Sequence, residues 1–198
     1  MEKWTPLPTL KEHYSTDSAP KPPPMNAFFC KKILSDAVLV PAGLLLLAVT
    51  ALGGALTSQY AFGMNPCPLC IYQRWPYAII IALSLLALFM ELKKKEKAAA
   101  ALVFLCGLAL LAGGAIAAYH VGVEQHWWKS FLEGCTVSFD NAQDLLKQIE
   151  STRAARCDEI PWSLFGISMA GYNAIISLIA GPLTLLSSLM IVRRANGF

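Results

Sequence analysis

The chain has 198 residues, of which 56% are hydrophobic and only 15% charged. Soluble domains carry about 25% charged residues, so the apolar excess points to membrane spans rather than to an unusually greasy core. A formal charge of +3, with no zinc-finger, RNA-recognition or helix-turn-helix signature, argues against nucleic acid as a partner.

Residues 1–32 contain PLP and PKPPP and little apolar material. That composition predicts a mobile cytoplasmic tail rather than a domain. Residues 33–198 read as one membrane domain. Its first apolar run covers 37–60. A signal-peptide core is only about 7–15 residues long, and no small-residue cleavage site follows this run, so it is expected to stay as an anchor. The second span, 71–92, is interrupted by Arg74, and the third and fourth cover 98–120 and 167–192. Each reaches the ~20 residues that cross a hydrocarbon core ~30 Å thick. The expected fold class is an all-α membrane protein, a four-transmembrane-helix bundle.

Lysines and arginines set the orientation. Lys31 and Lys32 precede span one, Lys93, Lys94, Lys95 and Lys97 separate spans two and three, and Arg193 and Arg194 follow span four. By the positive-inside rule these clusters and both termini are cytoplasmic. The connections Gly63–Cys70 and Val121–Gly166 are then outside, and the stretch 123–160 holds four basic against seven acidic residues. Within this long periplasmic loop, a cap at Ser138 or Asp140 and apolar Leu145, Leu146 and Ile149 predict a short amphipathic helix on the membrane surface. Trp127, Trp128 and Trp162 fall where an outer aromatic belt would sit. Gly53, Gly54, Gly107, Gly113 and Gly114 are expected to let helices approach closely. Gly181 and Pro182 should kink span four.

Six cysteines remain to be placed. Cys30 is expected in the cytoplasm and reduced, and Cys106 to be a buried small apolar residue in span three. The other four fall on the outer side. Cys67 and Cys70 form a CxxC, a spacing that closes a tight disulfide and whose first thiol is often made acidic by a helix N-terminus. Pro68 suits a first helical position. Cys67, Cys70 and Arg74 lie at i, i+3 and i+7, on one face, with Arg74 on the membrane side. Pro76 cannot donate its backbone hydrogen bond, which frees the Tyr72 carbonyl and bends the helix. Arg74 reads either as a snorkelling anchor or as a cation favouring an acceptor that gains negative charge, such as a quinone oxygen. Cys135 and Cys157 lie in the long loop, in water, where a structural disulfide closing the loop is one reading. A zinc site using all four is disfavoured by the wide spacing of the second pair, and no metal is expected. His120 ends span three near the plane of Cys67, either as a quinone hydrogen-bond donor or as an interfacial histidine. His126 reads as a solvated loop residue.

Four spans, CPLCIYQR opening span two, a second cysteine pair in the outer loop, and the segments YHVGVEQHWW and RCDEIPWSLFG together resemble the DsbB family of bacterial inner-membrane disulfide oxidases. The resemblance covers roughly residues 35–192 and leaves the proline-rich tail unmatched. It implies that Cys67 and Cys70 form a disulfide coupled to a membrane quinone, ubiquinone or menaquinone. It implies that Cys135 and Cys157 exchange with a periplasmic DsbA-like thioredoxin-fold protein in a relay that keeps the periplasm oxidising. Arg74 would assist the quinone, and His120 carries over more weakly from its place after span three. Cys135 would be the sulfur attacked by the partner and Cys157 the thiol released to attack Cys67. Two other readings compete. A quinone reductase of the vitamin K epoxide reductase type also joins a CxxC to quinone, but its CxxC lies nearer the end of the bundle. A non-enzymatic four-span scaffold held by loop disulfides would need no CxxC beside a membrane arginine.

Overall fold

The computed structural model of the protein describes residues 36–132, 135 and 156–197. Cys30, the proline-rich tail and the expected amphipathic helix lie outside these residues. Four helices are long and apolar enough to cross a membrane: α1 (Leu39–Tyr60), α2 (Pro68–Leu92), α3 (Glu96–Glu124) and α4 (Met169–Ala195). The four-span bundle expected from hydropathy is therefore present, with its boundaries shifted by a few residues.

Local chemistry accounts for those shifts. The Asp36 carboxylate accepts hydrogen bonds from the amides of Val38 and Leu39 and so opens α1. Helix α2 starts at Pro68, ahead of the apolar run, because the Cys67 sulfur caps it by accepting the Cys70 amide at 3.2 Å. Three residues join α2 to α3, with Lys94 in the left-handed region at φ 55°, and so short a link makes the two helices antiparallel neighbours. Helix α3 runs to Glu124, so His120 lies a turn inside the helix rather than at its end.

Between α3 and α4 lies a two-stranded hairpin, β1 (Ser163–Leu164) and β2 (Ile167–Ser168), in which Ser163 pairs with Ser168. Phe165 and Gly166 both take positive φ, the geometry of a two-residue primed turn. Ser168 then caps α4 by accepting the Gly171 amide.

Helices α3 and α4 pack most closely. A Cβ on Gly107 would stand 2.7 Å from Leu185 and 3.3 Å from the Gly181 carbonyl, and one on Gly181 would stand 2.7 Å from Leu111. Gly113 and Gly114 face Pro76 and Ser177. The expected close approach holds at these positions but not at Gly53 and Gly54, where among the described residues nothing lies within 4 Å of an added Cβ. The buried hydroxyls of Thr184, Ser187 and Ser188 bond back to carbonyls of their own helix, so the seam needs no polar partner across it. Helix α1 is more lightly held, and buries only Pro41, Leu44 and Ala48. Leu44 and Ala48 join Ile80, Ala87, Val103, Cys106 and Leu110 in the apolar core. Cys106 is fully buried near the Ser84 hydroxyl, as its span position suggests.

Candidate functional site

At the end of the bundle where α2 begins and α3 ends, α1, α2, α3 and the start of α4 enclose a cavity of about 340 Å³. Its wall on α1 is apolar or small, including Ala51, Leu52, Gly54 and Ala55, and Cys67, Cys70 and Arg74 line the α2 side. The i, i+3, i+7 spacing thus turns all three toward one space. Arg74 donates to the Gln59 side chain at 2.6 Å and to the Ala55 carbonyl at 3.4 Å, both on α1. These neutral partners hold the guanidinium beside the cavity without neutralising its charge.

The Cys67 and Cys70 sulfurs are 2.8 Å apart. Hydrogen bonding to the Cys70 sulfur and burial push the Cys67 thiol up, while the backbone amides of Cys70 and Leu69 pull it down. The acidity expected of a first CxxC thiol at a helix N-terminus is therefore opposed by its burial.

Cys135 and Cys157 form a disulfide, tied further by a hydrogen bond from the Cys157 amide to the Cys135 carbonyl. This pair departs from the sequence reading in one respect. Both residues have 0% exposure, packed with Cys67, Leu69 and Val123, and so do not sit in water. The Cys157 sulfur, the Cys67 sulfur and a His120 ring nitrogen lie within 4.8 Å of one another. Because Cys157 is bonded to Cys135, this cluster offers no free pair of thiolates to a metal. Next to Cys157, Arg156 donates to Asp158 at 2.8 and 3.0 Å and lies 3.3 Å from Glu159. The Arg156 guanidinium holds the Asp158 carboxyl below the usual carboxylate range.

His120 is buried, with Nε2 3.6 Å from the Cys67 sulfur and 3.8 Å from a Glu124 oxygen. On the other side of the ring, Nδ1 is 2.8 Å from the Gln73 amide nitrogen. Asn173 donates to Gln73 Oε1 at 2.6 Å, and the Tyr77 and Ser177 hydroxyls both donate to Asn173 Oδ1. Glu124 in turn accepts from the Ser168 hydroxyl, which ties the end of α3 to the cap of α4. Motif reading passes over Gln73, Tyr77, Glu124, Ser168 and Asn173. The available signal is that polar residues inside apolar spans turn inward, and Gln73–Tyr77, His120–Glu124 and Asn173–Ser177 each repeat at i, i+4.

Toward the surface, Trp128 stacks on Tyr119 with ring centroids 5.8 Å apart and donates to the Tyr119 carbonyl. Its indole lies over Gly122, where any Cβ would collide. Trp127, Trp128 and Trp162 are exposed, as a belt at a membrane interface requires.

Residues 38–187 match the family model described as Disulfide bond formation protein DsbB. A Disulfide bond formation protein B of Aromatoleum aromaticum is 30% identical over 166 residues, covering 78% of this chain and 92% of the relative. One of Chromohalobacter salexigens is 30% identical over 164 residues, covering 76% and 90%. An uncharacterised protein of Rickettsia prowazekii is 25% identical over 143 residues, covering 68% and 78%. No solved structure gives a significant match. The family match across all four spans leaves no reason to retain the vitamin K epoxide reductase or scaffold readings. The chain belongs to the DsbB family and is a multi-pass inner-membrane disulfide oxidoreductase.

Proposed function

We propose that the protein reoxidises a DsbA-like thioredoxin-fold dithiol on the periplasmic side and passes the two electrons to a membrane quinone. The lysine and arginine clusters support this orientation, with both termini in the cytoplasm. The observation that carries the reading is the meeting of the Cys157 and Cys67 sulfurs beside His120, at the mouth of a largely apolar cavity that also holds Arg74.

In the relay, a partner thiolate attacks Cys135, breaks the Cys135–Cys157 bond and leaves the electron pair on Cys157. The partner's second thiolate then attacks the mixed disulfide, expels Cys135 as a thiolate, and the partner departs oxidised. The Cys157 thiolate of the reduced loop pair next attacks Cys67 and expels Cys70, and Cys135 attacks Cys157 to release Cys67 and re-form the loop disulfide. Each exchange needs an attacking thiolate and a stable leaving thiol. The placement of Cys157 against Cys67, rather than against Cys70, favours Cys67 as the sulfur it attacks.

The cavity fits a quinone headgroup. Its walls are mostly apolar and it is of ordinary ligand size. Of the two arginines that line it, Arg156 is paired with Asp158 and Glu159, and Arg74 is held by neutral partners. A bound quinone supplies a two-electron, two-proton acceptor. Arg74 would hold its charge against the oxygen that gains electron density, while Gln59 and Ala55 keep the guanidinium from swinging out to the interface. The test uses purified protein, a reduced thioredoxin-fold dithiol protein and a soluble quinone. Loss of quinone absorbance in step with oxidation of the dithiol is expected. Dithiol oxidation that proceeds equally well without quinone would overturn the electron path.

A further inference from the structure

We infer that Gln73, held by Asn173 and Tyr77, fixes His120 in its Nε2–H tautomer and aims that proton at the Cys67 sulfur. The inference rests on the relay proposed above and gives a part to a residue that the relay does not use.

The argument follows the hydrogen bonds inward. Two hydroxyls, Tyr77 at 2.5 Å and Ser177 at 3.1 Å, converge on one Asn173 side-chain atom. In the structure that atom is the carbonyl oxygen Oδ1, which accepts from both hydroxyls, so the Asn173 nitrogen faces Gln73. That nitrogen donates to Gln73 Oε1 at 2.6 Å, which leaves the Gln73 nitrogen to face His120 Nδ1 at 2.8 Å. A primary amide nitrogen is a donor only, so Nδ1 must be the bare nitrogen of the ring and Nε2 must carry the proton. The other end of the chain is compatible with the same polarity. Nε2 faces the Cys67 sulfur at 3.6 Å and Glu124 Oε1 at 3.8 Å. Both are acceptors when ionised. With every amide turned over, a bare Nε2 lone pair would point at them.

The consequence lies in one bond-breaking step. When the Cys135 thiolate attacks the Cys157 sulfur of a Cys157–Cys67 mixed disulfide, the Cys135–Cys157 bond forms, the Cys157–Cys67 bond breaks and the electron pair leaves on Cys67. A thiol leaves faster when its thiolate is stabilised. Burial works against that at Cys67, and the His120 Nε2 proton offsets it. The groups facing Cys67 are Cys70 on α2, His120 and Glu124 on α3, and Cys157 from the loop. Beside the backbone amides of Cys70 and Leu69, the imidazole supplies the one side-chain N–H among these groups. Gln73 touches neither cysteine in this chain of bonds and acts as a positioning residue.

The experiment uses the full-length protein in detergent with nitrogen-15-labelled histidine, and neither partner nor quinone is added. Long-range proton–nitrogen correlations should report Nε2–H for His120. Asn173→Asp replaces the donor with an acceptor of the same shape, so the Gln73 amide turns over, offers its oxygen to Nδ1 and moves the proton there. In a Cys70→Ser background, the pH midpoint for alkylation of Cys67 should then rise, and mixed-disulfide resolution should slow by about tenfold, the effect of losing a hydrogen bond to a charged group. Gln73→Leu should raise the midpoint in the same direction. With His120→Ala added, Asn173→Asp should no longer move it. A midpoint that still moves would trace to the new carboxylate's own charge and overturn the inference. An Nδ1–H tautomer in the wild-type protein would also overturn it. If the tautomer and midpoint behave as expected while the protein fails to couple dithiol oxidation to quinone, the relay fails and the assignment of Gln73 stands.

Discussion

The two cysteine pairs of this protein are held in opposite ways. Cys67 and Cys70 belong to a helix start, where a proline, a sulfur cap and the backbone of α2 set their places. Cys135 and Cys157 are 22 residues apart in sequence and are carried by loop segments, with Cys157 steadied by the Arg156 ion pairs. Yet the loop pair is the more deeply buried, because it packs on the first. A rigid pair and a carried pair suit a relay in which one set of sulfurs must stay beside the membrane and the other must meet a protein in water.

The sharpest break in this comparison removes the fixed partner. Cys67→Ser should lower quinone-coupled dithiol oxidation by at least about a thousandfold, as expected when one member of an obligatory catalytic unit is lost. Stopped-flow assays of quinone absorbance measure this, and a residual rate within tenfold of wild type would mean that electrons bypass the CxxC. Next comes the carried pair. Cys157→Ser should accumulate a reductant-sensitive covalent complex between Cys135 and the partner on non-reducing gels, and Cys135→Ser much less. If neither variant traps a partner while remaining inserted and folded, the loop disulfide only closes a loop.

Arg74→Gln touches the membrane side of the fixed pair alone. Its expected signature is about a tenfold loss in turnover or a matching rise in the apparent KM for quinone, the scale of one charge-assisted contact. Single-turnover exchange with the partner should be preserved. Equal loss of both steps would assign Arg74 to anchoring α1 against α2 through Gln59. A smaller effect comes from the ion pair beside Cys157. Because Arg156 depresses the Asp158 pKa, its contribution is present above the unfolded carboxylate range, near pH 4, and is lost as pH falls through the lower folded value. Limited proteolysis should show the Cys157 segment losing protection below about pH 4, and Asp158→Asn should lose part of that protection at neutral pH. Identical cleavage across that pH range would remove the pair from the stability of the segment. Least of all, Cys30→Ala with Cys106→Ala should leave turnover unchanged, and a large loss in a folded double variant would mean the relay needs more than four cysteines.

The spans were legible because membrane helices announce themselves by length, and the CxxC with Arg74 because a helix's own repeat puts them on one face. Only the ends were misplaced. Capping by Cys67 and the continuation of α3 through His120 to Glu124 depend on polar residues that hydropathy discounts. The burial of Cys135 and Cys157 was illegible for a different reason: where a loop folds back depends on contacts with Leu69 and Val123 that have no local signature. The Gln73–Asn173–Tyr77 chain was hidden likewise, since two helices 100 residues apart supply its links. Gly53 and Gly54 show the reverse failure. Small residues permit close approach but do not cause it, and among the described residues nothing comes within 4 Å of a Cβ at either position.

The seat of the loop disulfide against Cys67 also bears on steady-state kinetics. A sulfur with no exposure cannot meet a thiolate presented by another protein while it stays in that seat. On the proposed relay the Cys135–Cys157 pair is therefore engaged either with Cys67 or with the partner, at different moments. The dithiol protein and the lipid-borne oxidant need never be bound together. Double-reciprocal plots at several fixed oxidant concentrations should then be parallel, the ping-pong pattern of an enzyme that holds the electrons between two half-reactions.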